Sequence, residues 1–245
     1  MSVIAQAGAK GRQLHKFGGS SLADAKCYLR VAGIMKEYSQ AGDMMVVSAA
    51  GSTTNQLISW LKLSQSDRLA AHQVQQSLRR YHTELIGGLL EPAAADTLIA
   101  AFIHDLERLA GLLDGGVSEA VYAEVVGHGE VWSARLMAAV LNQLGMEAAW
   151  LDARAFLRAE RAAQPQVDEG LSYPLLQQLM AQHPNKRLVV TGFISRNQAG
   201  ETVLLGRNGS DYSATQIGAL AGASRVTIWS DVAGVYSADP RKVKD

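Results

Sequence analysis

The sequence predicts an α/β protein in which helices cover both faces of a mainly parallel sheet, giving a three-layer αβα sandwich. Short apolar runs typical of buried strands alternate with segments whose apolar residues recur at helical spacing. Polar, glycine-rich segments follow several of these runs. Because ligands of open parallel sheets bind beyond the carboxyl ends of the strands, these segments are the first candidates for a functional site.

The strands are predicted from short apolar runs along the chain. Residues 13–17 form the first strand, and "MMVVS" from residue 44 forms the second. "AAWLD", "RLVVTGF" and "RVTIW" give three more. "ISRNQAGETVLL" predicts a hairpin that turns at Ala199-Gly200.

The first helices are predicted from their caps and spacing. Ser21 is a candidate N-cap for the helix after the first strand, and another helix should begin near Thr54. Residues 65–113 keep helical spacing on both sides of Gly87-Gly88. This pattern predicts an α-helical hairpin inserted between the βα units.

A long helix is predicted from about Ser118 to Asn142, with Gly127 and Gly129 loosening its middle. Pro165 and Pro174 bracket a less regular stretch. The last helix opens within "LGRNGSD", where Ser210 and Asp211 are candidate caps.

Composition restricts the class of protein. The 245 residues contain 23 Lys and Arg against 23 Asp and Glu, so the formal net charge is zero. A balanced charge argues against nucleic acid as a partner. Cys27 is the single cysteine, which excludes an internal disulfide and a thiolate metal cluster. No apolar run approaches the ~18–20 residues of a membrane span and no signal pattern is present, so we expect a cytoplasmic protein without a membrane partner.

Two segments have the residues of an anion site. "KFGGSS" places Lys16 beside Gly18 and Gly19 at the start of a helix, where backbone N–H groups and the helix terminus favour negative charge. "GRNGSD" supplies Arg207, which is able to hold a carboxylate or phosphate with two hydrogen bonds, and Asp211. The structural alternatives are a tight turn with a surface lysine, and a helix capped by Asp211 with a solvated arginine.

Two further features are ambiguous from the residues alone. Glu130 lies on a helical stripe with Val126 and Ser133, and this pattern by itself favours an ordinary half-exposed carboxylate. His128 has no second histidine at metal-ligand spacing, so no metal site is expected. "SDVAGVYSADPR" ends a strand and suits a nucleotide, or is a polar loop ended by Asp-Pro. Together, the two candidate anion-binding segments and the carboxylates at strand ends fit phosphoryl transfer.

The motifs resemble those of the aspartokinases, within the amino-acid kinase superfamily. "KFGGSSLAD", "VVSAAGSTTNQL", "GHGEVWSARLMAAVLNQLG", "TGFI", "LLGRNGSDYSA" and "IWSDVAGVYSADPR" are similar to the family's motifs and occur in the same order. The resemblance runs from residue 13 to 245. It is greatest to the kinase half of bifunctional aspartokinase/homoserine dehydrogenases, and it implies the amino-acid kinase (carbamate kinase-like) fold.

The resemblance implies ATP-dependent phosphorylation of the side-chain carboxylate of L-aspartate to 4-phospho-L-aspartate. This is the first step towards lysine, threonine and methionine. ATP with Mg²⁺ would be the co-substrate, and a homo-oligomer is expected. NADP would serve only the dehydrogenase part expected in the parent protein. The alternatives are another kinase of this fold, acting on glutamate or acetylglutamate, and a non-catalytic fragment that binds aspartate or only assembles with other chains.

Residue roles also follow from the resemblance. Arg207 would hold the α-carboxylate of aspartate and Glu130 its ammonium group, while Lys16 would neutralise the transferring phosphoryl group and Asp211 would orient Lys16. The other implied aspartate-site residues are Ser48, Thr54, Phe193 and Ser210. The implied ATP site consists of Lys16, Gly18, Gly19, Ser230, Asp231, Tyr236 and Arg241.

Two departures from the family pattern bear on these expectations. Asn208 stands where the family usually has a glycine, and asparagine is the next most tolerant residue if the position needs φ > 0. Family kinases also continue past "DPRKVKD". We therefore expect one kinase domain (1–245) truncated at its C-terminus, with an aspartate-binding lobe at about 12–190 and a partial, less stable ATP-binding lobe at about 191–245 that is prone to self-association.

Overall fold

The computed structural model describes residues 11–230. In chain order, its strands and helices are β1 Gln13–Phe17, α1 Ala25–Tyr38, β2 Met44–Val47, α2 Thr53–Ser64, α3 Arg68–Gly87, α4 Pro92–Asp114, α5 Glu119–Gln143, β3 Ala148–Leu151, α6 Glu169–Gln182, β4 Arg187–Thr191, β5 Ile194–Arg196, β6 Thr202–Leu204, α7 Gly209–Leu220 and β7 Arg225–Trp229. Short 3₁₀ turns lie at Gly19–Leu22 and Ala153–Ala155.

The main sheet has five parallel strands in the order β3-β4-β2-β1-β7, which confirms the predicted architecture. The register pairs Phe17 with Val47 on one side and with Trp229 on the other, and Val47 with Thr191. The carboxyl ends of β1, β2, β4 and β7 therefore meet at one edge. The predicted hairpin is also present, as the antiparallel pair β5-β6.

Alternation along β2 explains why helices cover both faces of this sheet. Met45 and Val47 pack in the core with α1, α2, α5 and the α3–α4 hairpin, whereas Met44 and Val46 pack on the opposite face with α6 and α7. All four side chains are fully buried. Burying a side chain of this size typically contributes about 1.5–3 kcal/mol, so both helical layers stabilise the central strands.

The inserted helical hairpin is confirmed as α3 and α4, which pack against α2 and α5. Its buried face is formed by Leu78, Leu85, Phe102, Leu106 and Leu109. Within residues 11–230, no helix combines the length and apolar character that crossing a bilayer requires.

Three local predictions were wrong. Asp24, not Ser21, caps α1, because its carboxylate accepts a hydrogen bond from the Cys27 N–H at 2.8 Å. "GGSS" therefore opens a 3₁₀ turn instead of an α-helix. Pro174 lies inside α6, so the stretch it was expected to close is partly helical.

Gly127 and Gly129 do not loosen α5, which is continuous from Glu119 to Gln143. They allow close packing instead. A Cβ at Gly127 would lie 2.6 Å from Ile194 Cγ2, and one at Gly129 would lie 2.8 Å from Ala49 Cβ. The division into two lobes near residue 190 stays a prediction.

Candidate functional site

An open cleft of about 340 Å³ lies at the carboxyl ends of the central strands. Nine residues predicted for the site line it: Lys16, Gly18, Gly19, Ser48, Thr54, Glu130, Phe193, Ser210 and Asp211. Five lining residues were not predicted as site residues: Ala49, Gly51, Gly206, Asn208 and Gly209. Their position between predicted residues in glycine-rich loops was the available sequence signal.

Lys16 is the cation of this cleft. Its side chain projects from β1, and Nζ lies 2.6 Å from Asp211 Oδ1 in the first turn of α7. Lys16 is largely buried, whereas Asp211 is partly exposed. Because two secondary-structure elements fix the pair, the ammonium group has a defined position in the cleft.

Glu130 is buried, with 3% of its surface exposed, so the half-exposed carboxylate favoured by the local pattern is wrong. Burial raises the pKa of Glu130 to about 8, against the opposing effects of the Ala49 N–H, which donates to the carboxylate, and of the charge on Lys16. Glu130 Oε2 has no hydrogen-bond partner among the described residues. An unpartnered carboxylate oxygen in a cleft is suited to accept a hydrogen bond from a cationic ligand group.

The loop from Ser48 to Thr54 forms one wall of the cleft. The Ser48 N–H donates to Phe17 O at 3.1 Å, and the Gly51 N–H donates to Gly19 O at 3.0 Å. A Cβ at Gly19 would lie 2.7 Å from Ala49 O, so this backbone approach requires glycine. Gly19 thus allows the two loops to approach each other closely at the cleft.

Phe193 closes the opposite side in an unusual backbone conformation, with φ 64°. Its N–H donates to Ser213 Oγ at 2.8 Å and its carbonyl accepts from the Leu205 N–H at 2.8 Å. A Cβ at Gly209 would lie 2.6 Å from the Phe193 ring. Such conformations cost about 1–3 kcal/mol and persist where the surroundings fix them, often at ligand sites.

Asn208 begins α7 in the left-handed region, with φ 58° and no side-chain capping bond. The position does need φ > 0, as the substituted glycine suggested, and asparagine tolerates it. Ser210 and Asp211 do not cap the helix. They lie in its first turn, so both side chains are available to the cleft.

Arg207 is exposed and is not among the residues that line the main cleft. It lines a neighbouring cleft of about 380 Å³ with Tyr212 and Gln166, and this cleft shares Gly206 with the main one. In this structure the guanidinium group is therefore beside the predicted aspartate site instead of within it.

The predicted nucleotide residues are described only in part. Ser230 is exposed directly after β7, and Asp231, Tyr236 and Arg241 lie outside the described residues. Among residues 11–230, no group of three His, Cys, Asp or Glu side chains is placed to hold a metal ion. The described part of the site thus offers no protein cage for Mg²⁺, which takes oxygen ligands and often binds through substrate phosphates.

Known aspartokinases resemble this chain over nearly its whole length. The chain is 86% identical over all 245 residues to the bifunctional aspartokinase/homoserine dehydrogenase 2 of Escherichia coli (strain K12), of which it spans 30%. It is 32% identical over 231 residues to the lysine-sensitive aspartokinase 3 of the same organism, of which it spans 51%.

Solved structures show the same fold. The crystal structure of E. coli aspartokinase III in complex with aspartate and ADP matches with a TM-score of 0.85 and 28% identity, over 94% of this chain and 51% of that one. An isopentenyl phosphate kinase, 17% identical with a TM-score of 0.54, shares the fold alone. The amino acid kinase family model matches residues 11–245. The chain therefore belongs to the amino acid kinase family.

Proposed function

We propose that this chain is the kinase part of an aspartate kinase, which transfers the γ-phosphoryl group of ATP to the side-chain carboxylate of L-aspartate. The observation that carries the proposal is the juxtaposition in one cleft of the Lys16–Asp211 pair and the buried Glu130. The 86% identity to a bifunctional aspartokinase supports the choice of substrate. The product, 4-phospho-L-aspartate, would lead to lysine, threonine and methionine.

Lys16 would stabilise the negative charge of the transferring phosphoryl group. Phosphoryl transfer depends mainly on positioning and on stabilising charge at the transferring group. The Lys16 ammonium group, held by Asp211, would lie against the phosphoryl oxygens, and the backbone at Gly18 and Gly19 would approach the phosphates. Mg²⁺ would enter with ATP, and no step proposed for these residues requires a metal held by side chains.

Glu130 would bind the α-ammonium group of aspartate. An ammonium group beside the carboxylate favours its ionised form and offsets the desolvation that raises its pKa. Ser48, Thr54, Phe193 and Ser210 would line the remaining aspartate site. Arg207 would hold the α-carboxylate, which requires its side chain to reach from the neighbouring cleft across Gly206.

The test is aspartate-dependent ADP formation by the protein that contains this chain. We expect ADP to form with L-aspartate, and the acyl phosphate to be trapped by hydroxylamine. L-Glutamate and N-acetyl-L-glutamate, the substrates of the alternative kinases, should give less than about one-hundredth of that rate. A preference for either competitor would overturn the assignment, and aspartate binding without turnover would favour a binding module.

A further inference from the structure

The loop from Ser48 to Thr54 is held from outside the cleft by a residue of the inserted hairpin, His82 on α3. This inference rests on the proposed function, since the loop matters only if the cleft binds aspartate. His82 Nε2 lies 3.1 Å from Thr53 Oγ1, and Thr53 Oγ1 lies 2.6 Å from Ala50 O. Thr53 and His82 are both buried.

The directions of these two hydrogen bonds are fixed by proton counting. The Thr53 hydroxyl has a single proton, which it donates to Ala50 O because a carbonyl oxygen only accepts. Thr53 Oγ1 must then accept from His82, so His82 carries its proton on Nε2. The chain of donors runs from α3 through Thr53 into the wall of the cleft.

The surroundings keep His82 neutral. The His82 ring packs against the rings of Tyr81, Phe102 and Trp132, with centroid distances of 4.9, 4.9 and 5.0 Å respectively. Complete burial lowers the pKa of His82 to about 3. Its N–H donor is therefore present throughout the neutral pH range.

The other side of the same loop is held by α5. A Cβ at Gly129 would lie 2.8 Å from Ala49 Cβ and 3.1 Å from Thr53 Cγ2, and the Ala49 N–H donates to Glu130. The loop is thus fixed between the helix that carries Glu130 and the hairpin. Tyr81 adds a second contact from α3, since its hydroxyl donates to Ala23 O at 3.0 Å and lies 3.0 Å from a Cβ built at Gly51.

We propose that His82 is a positioning residue for the aspartate subsite, acting through the hydrogen bonds His82–Thr53–Ala50. It contacts no cleft surface itself. It holds the backbone at Ala49 and Ala50, which in turn orients Glu130 and the Ser48 and Thr54 side chains that line the cleft. The inserted hairpin is thereby part of the substrate-binding apparatus.

Two pairs of variants and one control test this proposal in the protein that contains the chain. His82→Leu and Thr53→Val remove a partner at similar volume, whereas His82→Gln and Thr53→Ser keep a donor or a hydroxyl. Phe102→Leu is the matched control, because it loosens the same aromatic cluster and leaves the hydrogen bonds in place. We expect His82→Leu and Thr53→Val to raise the aspartate KM about tenfold, the usual scale for one lost buried hydrogen bond. The ATP KM should change less than about twofold, and Thr53→Ser should restore the aspartate KM.

Amide hydrogen exchange without substrate provides a second readout that does not depend on the proposed function. The Gly51 and Thr53 N–H groups, which donate to Gly19 O and Ala50 O, should exchange faster in His82→Leu and Thr53→Val but not in Phe102→Leu. Faster exchange in a protein that does not phosphorylate aspartate would support the His82–Thr53–Ala50 hydrogen bonds as the support of the loop and would contradict the proposed function. Unchanged exchange, or a Phe102→Leu effect on the aspartate KM as large as that of His82→Leu, would overturn the proposal that His82 positions the loop.

Discussion

The Lys16 ammonium group lies 2.6 Å from the Asp211 carboxylate, joining the end of β1 to the first turn of α7. Neither residue is near the other in sequence, and the parallel sheet brings them together. The pair presents a cation whose place in the cleft is fixed by the protein's own contacts. Such preorganisation is what electrostatic stabilisation of a transferring phosphoryl group requires.

Replacing Lys16 by alanine should lower kcat by about 10²-fold or more, because a preorganised charge contact in the transition state is lost. The measurement is steady-state ADP formation at saturating aspartate and ATP, with thermal unfolding recorded in parallel. Lys26→Ala, an exposed lysine on α1, is the control and should keep full turnover. Turnover of Lys16→Ala within a few-fold of the unmodified protein would remove Lys16 from the catalytic set.

Arg207→Ala should raise the aspartate KM and leave the ATP KM nearly unchanged. Losing a charge-assisted contact to a charged ligand costs about 2–5 kcal/mol, which corresponds to a factor of about 30 or more. The exposed Arg30 of α1 supplies the control substitution, Arg30→Ala. If the aspartate KM does not move, Arg207 stays in the neighbouring cleft with Tyr212 and another group binds the α-carboxylate.

Aspartate binding should strengthen as the pH rises towards about 8. The raised pKa means that ligand-free Glu130 is largely protonated below that pH, whereas an ammonium ligand favours the carboxylate. Binding should therefore release a proton, and the affinity should gain up to about tenfold per pH unit. Calorimetry in buffers of different ionisation enthalpy measures this release, which Glu130→Gln should abolish while raising the aspartate KM. Proton uptake, or a release that persists in Glu130→Gln, would contradict the assignment.

The same group predicts the pH dependence of stability without ligand. The pKa of Glu130 in the folded protein, about 8, exceeds the ordinary glutamate value of 4.5. The folded state therefore binds more protons between these two values, so this group's contribution to the unfolding free energy falls as the pH rises from about 4.5 to 8. Denaturant unfolding across this range should show a shallower decline in Glu130→Gln. Equal slopes in both proteins would mean that Glu130 titrates near its ordinary value.

Prediction from sequence succeeded where local pattern and tertiary environment agree. The bounds of β1, residues 13–17, were predicted correctly because the run is apolar and a glycine pair ends it. The inserted hairpin was visible because two long helical stripes flank Gly87-Gly88. The cap of α1 was misplaced because Ser21 and Asp24 are both good capping residues, and only the 3₁₀ turn between them decides which is used.

The site was harder to predict where contacts between segments distant in sequence determine the burial or position of a side chain. The stripe around Glu130 gives no sign of burial, because Ala49 and Thr53, about 80 residues earlier in the chain, cover it. The hydrogen bond from His82 to Thr53 could not be predicted either, since the role of a lone histidine on an apolar helix face is ambiguous from sequence. The position of Arg207 beside the cleft is likewise a matter of loop geometry, which residue types leave open.

Gly129→Ala should destabilise the protein even though alanine is the better helix former. The added Cβ would lie 2.8 Å from Ala49 Cβ and 3.1 Å from Thr53 Cγ2, and overpacking of this kind typically costs about 1–3 kcal/mol. Gly33→Ala is the matched control, since Gly33 is an exposed position inside α1 with no neighbour within 4 Å of a Cβ. It should gain about 0.5–1 kcal/mol from helix propensity alone.

The two substitutions should also separate in activity. Gly129→Ala pushes on the loop that orients Glu130, so the aspartate KM should rise together with the loss of stability, while Gly33→Ala should keep both KM values. Denaturant unfolding and steady-state kinetics on the two variants provide the comparison. A Gly129→Ala protein as stable as Gly33→Ala, with an unchanged aspartate KM, would show that the loop yields to the added methyl group and that close packing at Gly129 does not position the site.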